Sequence, residues 1–277
     1  MEYGDKHILV LGAGASGIGA SWVLAQVGAH VVLNDYKPMT LPTAEEKRLV
    51  AAGVNIITGR QDESLLDGVD RIVISPGISL DIPIVKAAQA RGIDVVSEVE
   101  LAYEVSKSPI VAVTGTNGKT TTTTLLTKVL EGSGKPVRVG GNIGDSLSEV
   151  AYAMPADGFL VAELSSYQLE TIKHFRPVGA IMLNITPDHL ARHKTMENYI
   201  AAKERIFENQ LSTDFLVLNI DDSVVADMEH RAPSHILQIS QNRVVENGAY
   251  YADGQCYIAK DGIAKSVIGN EDIQYSR

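Results

Sequence analysis

The chain alternates short apolar runs with longer amphipathic ones. His7–Leu11, Arg71–Ile74 and residues 30–33, 54–57 and 94–96 are apolar runs of strand length. Residues 16–27, 43–52, 82–90 and 98–105 lie between or after them and read as helices. Continuous apolar strands separated by amphipathic helices predict a parallel sheet covered on both faces. Ser106-Lys-Ser-Pro109 is the best candidate linker, and a second alternation follows it. That alternation predicts strands at 110–113, 136–139, 159–163, 178–183 and 215–219, and helices at 119–131 and 197–209. From Arg243 onward, Asn247-Gly248, Asp253-Gly254 and Asp261-Gly262 separate short strand-like runs and predict hairpins. The expected fold class is α/β: a Rossmann-like parallel-sheet domain over 1–107, then a phosphate-loop α/β domain over 108–277 with terminal hairpins. The threonine run 120–124 is the one biased tract.

Composition narrows the class. A chain of 277 residues accommodates two domains with cores of their own. No stretch reaches the length of a membrane span, and residues 1–6 are polar, without a signal-like apolar region. Cys256 is the single cysteine, which rules out an internal disulfide and a cysteine-rich zinc site. A cytoplasmic protein without membrane insertion is expected. The net charge of −10 argues against nonspecific nucleic-acid binding, but leaves room for anionic small ligands held by local positive groups.

Two segments carry phosphate-binding chemistry. Val113-Thr-Gly115-Thr-Asn-Gly118-Lys119-Thr120-Thr121 follows a strand and opens a helix. Backbone N–H groups of such a turn point into one concavity, the helix terminus adds partial positive charge, and Lys119 adds a full one. Thr120 can offer its hydroxyl to Mg²⁺. The loop is a variant, because Val113 stands where the common pattern has its first glycine. The second segment, Gly12-Ala-Gly14-Ala-Ser-Gly17, fits G-x-G-x-x-G between a strand and a helix, and Asp35 ends the next strand. By itself it favours a dinucleotide, though any anionic nucleotide could use the same loop. Ser75-Pro76-Gly77-Ile78 falls at the end of a later strand, on the edge where open parallel sheets bind ligands.

Other residues gain weight from position. Glu163 closes an apolar strand and can hold Mg²⁺ opposite the phosphate loop. His189 follows the strand at 178–183. Lys203 has Tyr199, Ile200, Ile206 and Phe207 three and four residues away, which puts a lysine on the apolar stripe of its helix. It either snorkels to water or is desolvated with a lowered pKa. A neutral amine there can take up CO₂ as a carbamate.

Together these residues resemble the Mur ligases of peptidoglycan synthesis. The phosphate loop, Gly141-Asn142-Ile143-Gly144, the run from Glu163 through Gln168 to Glu170, Asp188-His189 and Ala202-Lys203 occur in that family's order. The Gly-rich loop at 12–17, Asp35, residues 75–78 and Ser97-Glu98-Val-Glu100-Leu101 are most similar to the members that add D-glutamate. The resemblance implies an ATP-dependent ligase joining D-glutamate to UDP-N-acetylmuramoyl-L-alanine through an acyl phosphate. It implies that Ala15, Ser16 and Asp35 hold the UDP part, with Gly77, Asn142, Gln168 and His189 along the rest of that substrate. Gly115, Thr116, Asn117, Gly118, Lys119, Thr120 and Thr121 would hold ATP. Thr120 and Glu163 would bind one Mg²⁺, and His189 with carbamylated Lys203 a second. Lys119, Glu163, His189 and Lys203 are thus the implied catalytic set. Ala191 departs from the family pattern, which has aspartate there. The family's third domain, which binds the amino acid, has no counterpart in these residues. The ending at 269–277 reads as a truncation, and no ligation is expected from this chain alone. Competing readings are another Mur or folylpolyglutamate-type ligase, an NAD-dependent oxidoreductase, and a non-catalytic nucleotide-binding module.

Overall fold

The computed structural model describes residues 3–269; the tail Asn270 to Arg277, part of the ending read above as a truncation, lies outside the described residues. Two compact units emerge, one made of Met1–Ile110 with Thr123–Phe175, the other of Val111–Thr122 with the chain from Arg176 onward.

In the first unit β1 (His7–Leu11), α1 (Ala15–Gln26), β2 (His30–Asp35), α2 (Thr43–Ala51), β3 (Asn55–Thr58), β4 (Arg71–Ile74), α3 (Pro83–Ala90), β5 (Asp94–Ser97) and α4 (Glu98–Val105) alternate as expected. The strands form a parallel sheet in the order β3-β2-β1-β4-β5. Strand β1 is central, so four of its five residues are buried. One face packs Val10, Leu24, Leu33 and Leu101, the other Leu9, Leu11, Ile72 and Val85. Strand order reverses between β1 and β4, the position at whose C-terminal edge open parallel sheets bind ligands.

The chain continues through β6 (Ile110–Thr114), α5 (Lys119–Glu131), β7 (Val137–Gly141), α6 (Leu147–Ala153), β8 (Phe159–Glu163) and α7 (Ser166–Leu169). Within the first unit, β7 and β8 pair in parallel. The 106–109 segment is no loose tether: Ser108 is buried, and its hydroxyl donates to Pro155 O.

Two buried carboxylates on α4 organise this unit. Glu98 Oε1 accepts from Ser146 Oγ (2.7 Å) and Ser148 N (2.6 Å), at the start of α6. Burial pushes its carboxyl above the usual range, against the hydrogen bonds that favour the charged form. Glu100 accepts three backbone N–H groups, from Lys173 (2.7 Å), His174 (2.8 Å) and Phe175 (3.0 Å).

The second unit adds β9 (Gly179–Met182), α8 (Leu190–His193), α9 (Met196–Glu204), β10 (Phe215–Asn219), α10 (Ser223–Asp227), β11 (His235–Ser240), β12 (Gly248–Ala252), β13 (Gln255–Lys260) and β14 (Ile263–Gly269). Its strands run in the order β14-β13-β12-β11-β10-β9-β6. Pairing is parallel from β6 to β12 and antiparallel from β12 to β14. Asp253-Gly254 and Asp261-Gly262 are hairpin turns, with positive φ at all four residues, as such turns demand. Asn247-Gly248 is not a hairpin. Gly248 opens β12, which lies parallel to β11 with Gly248 opposite Gln238. A Cβ there would sit 1.9 Å from Gln238 O, so this glycine serves close strand approach instead of chain reversal. The expected helix at 197–209 ends earlier, at Glu204, with a tighter turn at Arg205–Phe207.

Glu100→Ala should leave three N–H donors without acceptors, that of Phe175 buried and those of Lys173 and His174 part-buried. We expect a loss on the order of 3 kcal/mol in the free energy of urea unfolding, with Glu100→Gln less harmful because it keeps one acceptor oxygen. An Ala variant within 0.5 kcal/mol of wild type would remove Glu100 from the organising role.

Candidate functional site: two nucleotide-type loops

In the first unit the glycines of the 12–17 loop have separate tasks. Gly12 has φ +95, and its Cβ would collide with Ser75 Oγ at 2.8 Å. A Cβ on Gly17 would stand 1.7 Å from Gly12 O, so only glycine lets α1 start this close to β1. Gly14 faces open space and caps α1 without a side-chain hydrogen bond. The first N–H groups of α1, which include those of the more exposed Ala15 and Ser16, thus suit an anion. Asp35 braces the loop, accepting from Ala13 N (3.0 Å) and Lys37 N (2.9 Å). Ser75 Oγ donates to Gly12 O (3.2 Å) and ties the two expected loops together, with Gly77 exposed beside them.

The same unit brings Asn142 to Glu163. Gly141 has φ +110 and would place a Cβ 2.3 Å from Glu163 O. That close turn lets Asn142 N donate to Glu163 O (2.8 Å) and Asn142 Nδ2 to Glu163 Oε1 (2.8 Å). Glu163 is 1% exposed, and its second oxygen, Oε2, has no hydrogen-bond partner. A buried, orphaned carboxylate oxygen at a strand end is what a hard cation would satisfy. Gln168 is buried too, and its side-chain oxygen completes a capping box with Ser165 at the start of α7.

In the second unit the phosphate loop joins β6 to α5. Gly115 (φ +150) and Gly118 (φ +83) take backbone conformations that side chains disfavour. Lys119 folds back, with Nζ donating to Gly115 O (3.1 Å) and Thr116 O (2.9 Å). Lys203, from α9, donates to the same Gly115 O at 2.7 Å and to Thr114 Oγ1 at 3.4 Å. It does not snorkel, since it is 2% exposed. Burial, with the nearby Lys119 charge, lowers its pKa to about 7, while Asp188 opposes the shift. A substantial neutral fraction therefore exists near neutral pH.

Tyr199 is the residue that pattern reading passed over as part of the apolar stripe. Its hydroxyl meets Thr116 Oγ1 (3.0 Å), and the Lys203 ammonium lies 5.0 Å from its ring centre. His189 packs edge-on against the same ring, at 6.4 Å. His189 itself is half-exposed, in the left-handed region at φ 54, with Asp188 Oδ2 3.4 Å from Nε2. Ala191 offers only its carbonyl, to Lys194 Nζ (2.9 Å). Among the described residues no group of three or more His, Cys, Asp and Glu is set to hold a metal. A cation here would draw on hydroxyl, phosphate or modified-lysine oxygens as well.

A family model for the Mur ligase middle domain matches residues 113–274, and one for the MurD-like Mur ligase N-terminal domain matches 6–97. The chain belongs to the Mur ligase family. It is 44% identical over 273 residues to a UDP-N-acetylmuramoylalanine–D-glutamate ligase of Thermoanaerobacter sp. (strain X514), covering 99% of this chain and 60% of that protein. The enzyme of the same name from Caldanaerobacter subterraneus subsp. tengcongensis is 45% identical over 273 residues, with 99% and 60% covered. The chain thus spans about 60% of the length of these relatives. Among solved structures, a UDP-N-acetylmuramate:L-alanyl-gamma-D-glutamyl-meso-diaminopimelate ligase from Neisseria meningitides aligns with TM-score 0.61 at 23% identity, over 94% of this chain and 86% of that one. That likeness speaks for the fold alone.

The lowered Lys203 pKa sets a stability trend. The unfolded lysine keeps its proton up to about pH 10.4, whereas the folded one releases it near 7. Between these values the unfolded state binds more protons, so stability rises with pH across that window. Lys203→Met should flatten this slope, raising stability at pH 7 by on the order of 2–4 kcal/mol relative to pH 10 in CO₂-free buffer. Parallel wild-type and variant curves in urea unfolding would show that the amine is not desolvated.

Proposed function

We propose that this chain binds the UDP-linked substrate and ATP in an ATP-dependent ligase that adds D-glutamate to UDP-N-acetylmuramoyl-L-alanine. The observation that carries it is the convergence of two lysine ammoniums, Lys119 and Lys203, on one carbonyl of the phosphate loop. Like charges held that close call for an anion between them. The relatives' names, with the match of both family models, support the substrate pair. The boundaries of those models support functional domains at 1–107 and 108–277, and the relatives' kind of chemistry supports a cytoplasmic setting.

In this reading Ala15, Ser16 and Asp35 hold the UDP group. Gly77, Asn142, Gln168 and His189 line the path of the muramoyl-alanine arm. Gly115 to Thr121 cradle the ATP phosphates, and Lys119 leaves the loop carbonyls to meet the β- and γ-oxygens. The alanyl carboxylate attacks the γ-phosphorus, ADP departs, and the D-glutamate amine displaces phosphate from the acyl phosphate. The chain contributes placement and charge neutralisation, and no side chain needs to act as a covalent nucleophile. Thr120, Glu163, His189 and a Lys203 carbamate would be the Mg²⁺ ligands. Bound Mg²⁺ would screen the phosphoryl charge. The orphaned Glu163 oxygen and the desolvated Lys203 amine fit those roles.

Calorimetry on the 277-residue chain should show saturable UDP binding and none of NAD, with Asp35→Ala weakening UDP roughly tenfold, about 1.4 kcal/mol. NAD binding with silence toward UDP would overturn the reading. Assayed beside a chain extended to its relatives' length, the 277 residues should give no D-glutamate addition, since no residue among them is assigned to that amino acid. In the longer chain Lys203→Ala should cut turnover at least a hundredfold, about 2.7 kcal/mol, with partial recovery on adding short carboxylates. Undiminished turnover would remove Lys203 from the chemistry.

A further inference from the structure

The loop after β9 does more than carry His189. Strands β6 and β9 pair from Val111 opposite Gly179 to Thr114 opposite Met182. Their hydrogen bonding runs past the strands, with Leu183 N donating to Thr114 O (3.1 Å) and Thr116 N to Asn184 O (2.8 Å). The next step is made by a side chain. Asn117 N donates to Asn184 Oδ1 (2.8 Å), and Asn184 Nδ2 donates back to Asn117 O (3.0 Å). A carboxamide carries a peptide's donor and acceptor together, so it can stand in for a backbone unit where the two chains diverge.

We propose that Asn184 is a positioning residue for phosphate binding, its amide extending the β6–β9 ladder one step into the phosphate loop and selecting which loop N–H groups face the ligand. This rests on the reading of 115–121 as a phosphate loop. The N–H groups of Thr116 and Asn117 are both committed to Asn184, so the ligand-facing amides begin at Gly118, just before α5. Gly115 fits the same picture: a Cβ there would lie 2.9 Å from Leu183 Cβ and 3.3 Å from Asn184 N. Asn184 is itself held on both sides by the Asn219-Ile-Asp-Asp222 run. Asn219 Nδ2 donates to Leu183 O (2.8 Å), and Asp222 Oδ2 accepts from Ile185 N (2.8 Å). Asp222 is anchored in turn, its other oxygen capping α10 through Val224 N (2.9 Å) and Val225 N (3.1 Å).

The test uses the 277-residue chain, with Mg²⁺·ADP and Mg²⁺·tripolyphosphate as probes in ³¹P NMR titrations. Asn184→Ala should weaken both at least tenfold and by the same factor, because the defect lies on the phosphate side. Its ligand-free melting temperature should move by only a few degrees, while the Asn117 amide exchanges with solvent at least tenfold faster. A purely packing role would not move that single amide. Asn184→Asp should lose affinity to a similar degree, because a carboxylate cannot donate to Asn117 O, and it carries the test if the Ala variant does not fold. Wild-type affinity in either variant, or unchanged Asn117 protection in the Ala variant, overturns the proposal. Failure of the wild-type chain to bind either probe overturns the phosphate-loop reading itself, and this inference with it.

Discussion

Two cations share one carbonyl oxygen. Lys119 and Lys203 both donate to Gly115 O, within 3.1 Å and 2.7 Å, and one of them is buried. When both are protonated they repel, Asp188 offsets part of that repulsion, and the surrounding structure holds both stems in place. The strand hydrogen bonding of β6 with β9 sets the loop, and Tyr199 joins that loop to the helix carrying Lys203. The conflict between the two charges is what lowers the Lys203 pKa further than burial alone. It is also what a phosphate, or a carbamate on Lys203 itself, would relieve.

The first unit solves a different problem with the opposite charge. Glu98 and Glu100 lie two residues apart at the start of α4, both buried, and each closes on donors from segments far along the chain: Glu98 on one backbone N–H and one hydroxyl, Glu100 on three N–H groups. A buried carboxylate is tolerable when its oxygens are met by several donors, and Glu100 meets three. Glu98 is less fully matched: its Oε2 has no partner, and its carboxyl is pushed upward. The pair shows why the Ser97–Leu101 motif carries two acidic residues at the buried start of α4. They join elements that hydrophobic contact alone would leave free to slide.

The glycines and the lysines were legible in the chain itself. Gly12, Gly17, Gly115 and Gly118 stand where steric exclusion or positive φ admits nothing larger, so their spacing announces the loops. Lys203 announced itself as a charge on an apolar stripe. Asn184, Tyr199 and Asp222 gave no such signal. An asparagine after a strand, a tyrosine on a helix face and an aspartate before a short helix are ordinary in local sequence. Their importance comes from Asn117, Thr116 and Ile185, dozens of residues away.

Local order was settled by local physics. Apolar strand runs, helical periodicity and the Asp253-Gly254 and Asp261-Gly262 turns depend on backbone conformation and near neighbours, and the chain encodes them within a few residues. Pairing depended on the whole. Asn247-Gly248 has the composition of a hairpin turn, yet Gly248 opens a strand parallel to β11, because the glycine is needed for its approach to Gln238. No element was expected at 147–153, which forms α6, with Ser148 N in its first turn donating to Glu98. The sequence by itself determined most of the elements and the glycine-shaped loops that follow β1 and β6. Only the tertiary structure decided which side chains stand in for backbone and which charges meet, since those depend on contacts between segments that no local pattern records.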